Sequence, residues 1–286
     1  MTEQHSSGHG EGSAAAHTEI DLSRPHAARL YDFYLGGRTN YSVDREQAVK
    51  VIQIYPEAFT AARHNRAFMH RATHYLARVH GMRQWLDIGT GIPTEPNLHQ
   101  KAQEVAPDAR VVYVDNDPIV LTYAQALLTG KPEGRTAYIQ ADVTDPRSIL
   151  QSPQLAETLD LTQPVVLSLN ALLHFVPDEG DPYGIVKTLM DALPSGSALA
   201  ISHATPEFAE ESLGSIVDVY AKSEIPVKLR TKKEIEPFFE GLEFVDPGLA
   251  VAHRWRPEEG EPAVAGAPDT AADHEVSLWA GVAIKP

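Results

Sequence analysis

The stretch Gln-Trp-Leu-Asp-Ile-Gly-Thr-Gly at residues 84–91 has the pattern of a buried strand that runs directly into a glycine turn. Residues 111–115, Val-Val-Tyr-Val-Asp, have the pattern of a second buried strand with a carboxylate at its end. In a Rossmann-type sheet, the glycines of such a turn let a ligand approach the backbone, and the acid accepts hydrogen bonds from a ribose. The two stretches therefore predict an α/β fold that binds a nucleoside through Gly89, Gly91 and Asp115.

Two positions beside this turn indicate which nucleoside binds. A dinucleotide site usually has a third glycine where this chain has Thr94, and an apolar residue where it has Asp87. The carboxylate of Asp87 suits a ligand with an amino cation and no phosphates. S-adenosylmethionine fits this description, whereas NAD fits it poorly, so a nicotinamide oxidoreductase is disfavoured. Asp87 and Thr90 join the predicted cofactor residues.

The composition narrows the classes of function. The 286 residues include 24 basic and 39 acidic side chains, and a net charge of −15 argues against a nucleic-acid partner, which needs a basic face. The chain has no cysteine, which excludes disulfides, thiolate metal sites and cysteine nucleophiles. No apolar run approaches the roughly 18 residues of a membrane span, and the N-terminus lacks a signal-peptide pattern. We therefore expect a cytoplasmic protein that does not associate with membranes.

The chain divides into three regions by pattern. Residues 1–19 are rich in Ser, Gly, His and Glu and predict a disordered tail. Residues 20–80 predict a helical cap, and residues 81–286 predict the ligand-binding domain. The helices of the cap are expected at about 44–55 and 57–80. His70 and His74 could share one helix face, but they have no evident third ligand, so we expect no metal site.

The third region alternates between strand and helix patterns. Strands are expected at about 84–88, 111–115, 136–140, 164–169 and 197–202, with helices between them at about 97–106, 118–129, 146–158 and 183–193. This alternation predicts parallel strands with right-handed crossovers. Further helices are expected at about 207–222 and 232–240. Two last strands, at about 242–254 and 275–284, predict an antiparallel hairpin at one edge, the layout of a seven-stranded methyltransferase sheet.

The chain resembles a family of S-adenosylmethionine-dependent methyltransferases found largely in actinomycetes, many of them of unassigned function. The matching segments are RPHAARLYDFYLGGRTNY (24–41), RHNRAF (63–68), LDIGTGIPT (86–94), VYVDNDP (112–118), HFVPD (174–178), SHAT (202–205) and RWRP (254–257). The resemblance covers nearly the whole chain apart from the tail. It implies a class I Rossmann-like fold and S-adenosylmethionine as cofactor, and says little about the acceptor. The chain departs from the family at Glu95-Pro96, where Gln-Gly is usual, which alters the rim of the cofactor loop.

At the adenosine end of the expected site, Asp115 takes the ribose hydroxyls and Asn116 lines the adenine side. Asp142 ends the third predicted strand at the same sheet edge. Its carboxylate can accept from the adenine amine while the backbone N–H of Val143 donates to a ring nitrogen. The alternative is that Asp142 is a loop acid ahead of the helix cap at Asp145.

At the methionine end, Asn170 or Ser168, both at the end of the fourth predicted strand, is expected to hydrogen-bond the amino-acid portion of the cofactor. By resemblance, Arg66 lies near the cofactor and pairs with its carboxylate; a structural ion pair is the alternative. Tyr31 and Gly37 belong to an aromatic stretch with a Gly-Gly break. That stretch is either a lid that closes over the ligand or a helix end that packs on the core.

His174 and His203 are the candidate catalytic residues, because an imidazole can accept a proton from an acceptor near neutral pH. The alternative for His174 is a loop histidine that packs beside Phe175, and His203 has similar standing.

Taken together, the sequence predicts a class I methyltransferase in which an N-terminal helical cap covers a seven-stranded Rossmann-like sheet. Methyl transfer mainly requires that donor and acceptor be aligned, so no catalytic triad is expected. The acidic composition favours a small-molecule acceptor, whose identity the motifs do not specify. A non-catalytic sensor or partner protein that binds S-adenosylmethionine or S-adenosylhomocysteine would show the same cofactor motifs and stands as the alternative.

Overall fold

The computed structural model describes residues 21–127, 130–257 and 270–286. The tail predicted at 1–19 lies outside these residues. The first elements are three helices, α1 (Ala27–Tyr34), α2 (Ser42–Ile54) and α3 (Ala58–Val79). Within the described part of this region, residues 21–80, no strand is formed, as the sequence predicts.

Strands and helices alternate from residue 84 onward. The strands are β1 (Gln84–Ile88), β2 (Arg110–Asp115), β3 (Arg135–Gln140), β4 (Val166–Asn170), β5 (Ala198–Ala204), β6 (Glu243–Phe244), β7 (Ala250–Val251) and β8 (Leu278–Ile284). The helices are α4 (Leu98–Val105), α5 (Pro118–Leu127), α6 (Pro146–Leu150), α7 (Pro153–Thr158), α8 (Pro182–Asp191), α9 (Glu210–Ala221), α10 (Lys232–Ile235) and α11 (Asp273–Val276). Short 3-10 turns lie at Leu173–Phe175, Asp178–Gly180, Glu236–Phe239 and Ala252–Arg254.

The strands form one mixed sheet in the order β3-β2-β1-β4-β5-β8-β6, with β7 also paired to β8. Strands β1 to β5 are parallel, and β8 runs antiparallel to β5, β6 and β7. The expected class I Rossmann-like fold is therefore confirmed. The strand order reverses between β1 and β4, and ligands of open α/β sheets bind at the carboxyl ends of the strands at such a point.

The expected hairpin at the sheet edge is wrong in its details. The segment predicted as one strand at 242–254 contains two short strands, β6 and β7. Between them lie Pro247, which has no N–H to donate to a ladder, and Gly248, whose φ is +78°. Both short strands pair with β8, which lies between β5 and β6. Within residues 21–127, 130–257 and 270–286, the sheet consequently has eight strands rather than seven.

Prolines also divide two of the predicted helices. The helix expected at 146–158 is α6 followed by α7, because Pro153 begins a second helix behind its own N-cap, Ser152. The helix expected at 232–240 is α10 followed by a 3-10 turn that contains Pro237.

Alternating strand residues form a core on each face of the sheet. One face carries Leu86, Ile88, Val112, Val114, Leu167 and Leu169. The other face carries Trp85, Val111, Tyr113, Val166 and Ala200, against which α3 and α4 pack. A third apolar cluster joins α1, α2 and the start of α3 to α9. This cluster lies beside the carboxyl ends of the strands and provides one wall of the site.

Trp255, in the segment 254–257, fastens the C-terminal part of the chain to α3. Its ring is fully buried and meets the ring of Phe68 edge-on, with 5.3 Å between the centroids. Arg71 of α3 donates from Nε to the Trp255 carbonyl oxygen at 2.8 Å. The division into a helical cap (20–80) and a separate sheet domain (81–286) stays a prediction, because α3 contributes to the core of the sheet. In the described ranges, no helix has the length and apolar character needed to cross a membrane.

Candidate functional site

A cavity of about 950 Å³ opens at the carboxyl ends of β1 to β4, beneath α1 and between α3 and α9. This volume is near the upper end of the range of about 300–1,000 Å³ that small-molecule sites occupy. One end is lined by the polar residues that follow the strands, and the other by side chains of the third apolar cluster. The two ends therefore offer different chemistry.

The glycine turn after β1 forms the floor of the polar end. The backbone N–H groups of Gly89 and Thr90 donate to the Val114 carbonyl oxygen at 2.8 and 3.2 Å, which fastens the turn to β2. Gly91 has a φ of +67°, a conformation that glycine adopts without strain. A Cβ added to Gly91 would meet no atom within 4 Å, so open space lies directly above the turn.

Asp115 at the end of β2 closes this turn from the side. Its Oδ2 accepts from the backbone N–H of Gly91 at 2.7 Å, and its Oδ1 accepts from that of Asp117 at 3.0 Å. A carboxylate has about four acceptor positions, so two stay available for hydroxyl groups of a ligand. Burial raises the pKa of Asp115, because the carboxylate loses solvation. Hydrogen-bond donors of a ligand would replace part of that solvation.

Asp87 is the second buried carboxyl group in the polar end. Its Oδ1 accepts from Ser168 Oγ at 2.6 Å, and its Oδ2 accepts from Thr90 Oγ1 at 3.2 Å. Burial raises the pKa of Asp87 to about 6, although Ser168 and Arg66 pull it in the opposite direction. A ligand cation that reaches this carboxylate would replace the lost solvation.

The side chains at the end of β3 form the rim of the same end. Asn116 Nδ2 donates to Asp142 Oδ2 at 3.0 Å, and Asp142 Oδ1 accepts from the Thr144 backbone N–H at 2.8 Å. Burial opposes ionisation of Asp142, but the hydrogen bonds from Thr144 and Asn116 outweigh it and lower its pKa. Asn116, Asp142 and the buried Val143 all line the cavity.

Two unsatisfied polar atoms also belong to residues that line the cavity. Arg66 uses Nη2 to donate to the carbonyl oxygens of Thr94 and Pro96, but its buried Nε has no partner within the described structure. Asn170 donates from Nδ2 to Ser168 Oγ at 2.7 Å, while its buried Oδ1 is without a partner among the described residues. Buried polar atoms are normally satisfied, so Arg66 Nε and Asn170 Oδ1 are atoms whose missing partner a ligand could supply.

Tyr31 of α1 also lines the cavity, although its hydroxyl is engaged elsewhere. The hydroxyl donates to the Ala62 carbonyl oxygen at 3.1 Å and accepts from Asn65 Nδ2 at 2.8 Å. Asn65 Oδ1 in turn accepts from Ser202 Oγ of β5. The ring is therefore the part of Tyr31 that is left for a ligand.

Three predicted site residues do not line the cavity. Gly37 packs on the carboxylate of Asp32, and an added Cβ would lie within 2.0 Å of Asp32 Oδ1. Ser168 lies behind Asp87 and acts on it through their hydrogen bond. His203 is fully buried, with Nδ1 bonded to the Ala204 carbonyl oxygen at 2.8 Å. These positions depend on packing between distant segments, which strand and turn patterns do not report.

His174 does line the cavity, in the 3-10 turn after β4. Its Nδ1 accepts from the backbone N–H of Ala204 at 3.4 Å, which leaves Nε2 to carry the proton of a neutral ring. Burial, together with Arg230, lowers the pKa of His174 to about 3. In this state the ring can donate a hydrogen bond from Nε2 and is a weak base.

Two arginines that sequence reasoning missed hold the walls of the cavity. Arg29 of α1 forms a buried ion pair with Asp117, with 2.9 Å between Nε and Oδ2. Arg230 donates to the carbonyl oxygens of Leu173 and Val176 at 3.0 Å, and so braces the turn that carries His174. Arg29 lies in the RPHAARLY stretch quoted above, but no local pattern identifies its partner.

Comparison with protein families identifies the chain. Residues 13–286 match the family described as S-adenosyl methyltransferases. The chain belongs to this family. S-adenosylmethionine is thereby confirmed as the cofactor. No curated protein matches the chain.

Solved structures agree with this assignment. A DUF574 family protein from Streptomyces avermitilis MA-4680 is 50% identical, with a TM-score of 0.89 over 94% of this chain and 100% of that one. A proposed methyltransferase from Thermobifida fusca YX is 35% identical, with a TM-score of 0.83 over 93% of this chain and 96% of that one. The plantazolicin methyltransferase BpumL, solved with a pentazolic desmethylPZN analog and S-adenosylhomocysteine, is 14% identical, with a TM-score of 0.53 over 91% of this chain and 96% of that one. This likeness shows the fold alone.

The polar end of the cavity has the groups that this cofactor requires. Open space lies over Gly91, Asp115 has free acceptor positions, and Asp87 is a buried carboxyl group whose pKa is raised by its burial. The free Nε of Arg66 is a donor suited to a carboxylate. The residues present therefore fit S-adenosylmethionine.

Proposed function

We propose that this protein transfers the methyl group of S-adenosylmethionine to a small molecule held in the same cavity. The observation that carries the proposal is the free Nε of Arg66 in a cavity that also contains Asp87 and Asp115, because these groups complement a carboxylate, an ammonium and a ribose. The size of the cavity supports the proposal that the acceptor is held in the same cavity as the cofactor. At about 950 Å³ it is large for a single ligand.

In this proposal, the residues near the carboxyl ends of the strands contact different parts of the cofactor. Asp115 accepts from the ribose hydroxyls, while Asn116, Asp142 and the backbone N–H of Val143 contact the adenine. Asp87 and Asn170 accept from the ammonium group, and Arg66 donates to the carboxylate. Their hydrogen bonds to the surrounding backbone hold these side chains in place before the ligand arrives.

Held by Asp87, Asp115 and Arg66, the cofactor would supply a methyl group on positively charged sulfur. The methyl group would go to the acceptor atom, the bonding pair would stay on sulfur, and any acceptor proton would go to solvent. The protein needs to align the two molecules and to exclude water from the sulfonium. In this proposal the ring of Tyr31, which lines the cavity, covers the positive charge by a cation–π contact. The base role of His174 stays a prediction, and its neutral ring supports positioning of the acceptor through Nε2–H.

The experiment that tests this proposal is transfer of label from methyl-labelled S-adenosylmethionine into a small-molecule extract of Streptomyces avermitilis, the source of the 50% identical relative. We expect label in a low-molecular-weight product and release of S-adenosylhomocysteine, both lost with Asp115→Asn. Binding of S-adenosylmethionine without transfer across fractionated extracts would contradict catalysis. That result would favour a non-catalytic sensor or partner protein.

A further inference from the structure

The apolar end of the cavity, here called the apolar chamber, is formed by four separate segments. Its walls are Tyr34, Phe175, Leu213, Ile216, Tyr220 and Ile225. They come from α1, the 3-10 turn after β4, α9 and the loop that follows α9. The chamber is continuous with the polar end, so a molecule held in it lies beside the cofactor.

None of the six side chains that form the chamber walls carries a charge. The ionised side chains that line the cavity belong to the strand ends, to Arg66 of α3, to the buried pair of Arg29 and Asp117 with its neighbours, or to the exposed pair of Arg24 and Glu224. His174 borders the chamber as a neutral ring. An ion placed against these walls would lose hydration without gaining a counter-charge from them, which is unfavourable.

The polar feature of the chamber walls is a pair of tyrosine hydroxyls. The hydroxyl oxygens of Tyr34 and Tyr220 lie 3.4 Å apart, and burial raises the pKa of both, so the two phenols stay neutral. One hydroxyl proton serves the bond between them. The other proton and the remaining lone pairs are left for one polar group of a ligand.

The rings of the chamber favour a planar partner. The rings of Phe175 and Tyr220 meet edge-on with 6.3 Å between centroids, and the ring of His174 lies 4.4 Å from that of Phe175. This row of rings runs from the turn after β4 into the chamber. Aromatic molecules gain stabilisation from edge-to-face contacts with such rings beyond the burial of their area.

We propose that the methyl acceptor is an uncharged, largely apolar aromatic molecule with one hydrogen-bonding group, held in the apolar chamber. This inference rests on the proposed methyl transfer for the role of the occupant. The chamber itself, and its selectivity for neutral aromatic molecules, are properties of the described residues and can be measured without turnover.

The test uses two probes with the same rings and different charge. N-phenyl-1-naphthylamine is neutral, and 8-anilinonaphthalene-1-sulfonate carries a sulfonate on the same ring system. With the protein saturated by S-adenosylhomocysteine, we expect equimolar binding of the neutral probe by fluorescence, at least about tenfold tighter than the sulfonate. Equal affinity, or tighter binding of the sulfonate, overturns the inference.

Variants on α9 locate the probe. Leu213→Trp fills the chamber and should weaken the neutral probe by about tenfold or more, because the added ring occupies its volume. Ser215→Trp, exposed on the same helix, is the matched control and should leave probe binding unchanged. Unchanged binding in Leu213→Trp, or an equal loss in both variants, overturns the inference. If Leu213→Trp does not fold, the comparison of the two probes on the wild type decides alone.

S-adenosylhomocysteine binding, titrated on the same samples, separates this inference from the proposed function. Leu213→Trp should retain the cofactor affinity within about twofold, since its side chain lies outside the polar end. Cofactor binding without selectivity for the neutral probe overturns the acceptor class alone. Absence of cofactor binding in the wild type overturns the proposed function.

Discussion

Burial raises the pKa of Asp87 to about 6, so its proposed contact with the ammonium group should make cofactor binding depend on pH. Only its ionised form attracts an ammonium group. As the pH falls through about 6, the carboxyl gains a proton, and affinity for S-adenosylhomocysteine should fall by up to about tenfold per pH unit. Calorimetric titration between pH 5 and 7 measures this effect.

5′-Methylthioadenosine, which lacks the amino-acid portion, is the control for the Asp87 prediction. Burial also raises the pKa of Asp115, so both ligands share any effect at the ribose. The ratio of the two affinities should therefore isolate Asp87. A ratio that stays constant from pH 5 to 7 would contradict the contact, and Asp87→Asn should make the ratio constant.

Arg66 is predicted to act on the carboxylate of the cofactor. Arg66→Met should weaken S-adenosylhomocysteine by about 10- to 100-fold, because a hydrogen bond to a charged group contributes about 1.5–3 kcal/mol. 5′-Methylthioadenosine should keep its affinity within about threefold, since it has no carboxylate. Equal losses for both ligands would show that Arg66 acts only through its bonds to Thr94 and Pro96.

At the scale of elements, α1 is fastened to the rim of the cofactor site. Arg29 and Asp117 are both almost fully buried, and Asp117 also accepts from the backbone N–H of Ile119 at the start of α5. Arg29→Met leaves a buried carboxylate without this partner and should lower the free energy of unfolding by about 3–5 kcal/mol. Urea titration measures the change.

Arg24→Met is the matched control for Arg29→Met. Arg24 pairs with Glu224 at the surface, where both side chains are more than half exposed. Such exposed pairs contribute only about 0–1 kcal/mol. Losses of similar size in the two variants would contradict the view that the buried pair holds α1 in place.

The elements themselves differ in how far the sequence determines them. Strands β1 to β5 begin and end within two residues of their expected bounds, because buried parallel strands are continuous apolar runs that end at polar residues. The segment 242–254 has the same apolar character, but Pro247 and Gly248 interrupt its pairing. Only the tertiary structure shows that both parts of this segment, β6 and β7, pair with β8.

At the scale of the whole molecule, the candidate site likewise has parts that the sequence predicts and parts that it does not. The glycine turn, Asp87 and Asp115 were predictable, since the sheet topology brings residues after parallel strands to one edge. The apolar chamber was not, because its walls come from α1, α9 and two loops far apart in sequence. His203 and Ser168 likewise lie behind the cavity because of contacts with other segments. Arg230 contacts His203, and Asp87 accepts a hydrogen bond from Ser168.

The whole molecule therefore combines two parts. The proposed cofactor site is built from local sequence motifs, and the apolar chamber is built by packing between segments that are far apart in sequence. The role proposed for Asp115, that the polar end binds S-adenosylmethionine through its carboxylate, is decisive for the proposed function. The most direct test is calorimetric titration of the wild type, Asp115→Asn and Asp160→Asn with S-adenosylhomocysteine. Asp160 is exposed and outside the cavity, so it serves as the matched control.

We expect equimolar binding in the wild type and in Asp160→Asn. In Asp115→Asn, affinity should fall at least about tenfold, because the hydrogen bonds from the ribose lose their charged acceptor. The absence of binding in the wild type, or undiminished binding in Asp115→Asn, would contradict the role proposed for Asp115.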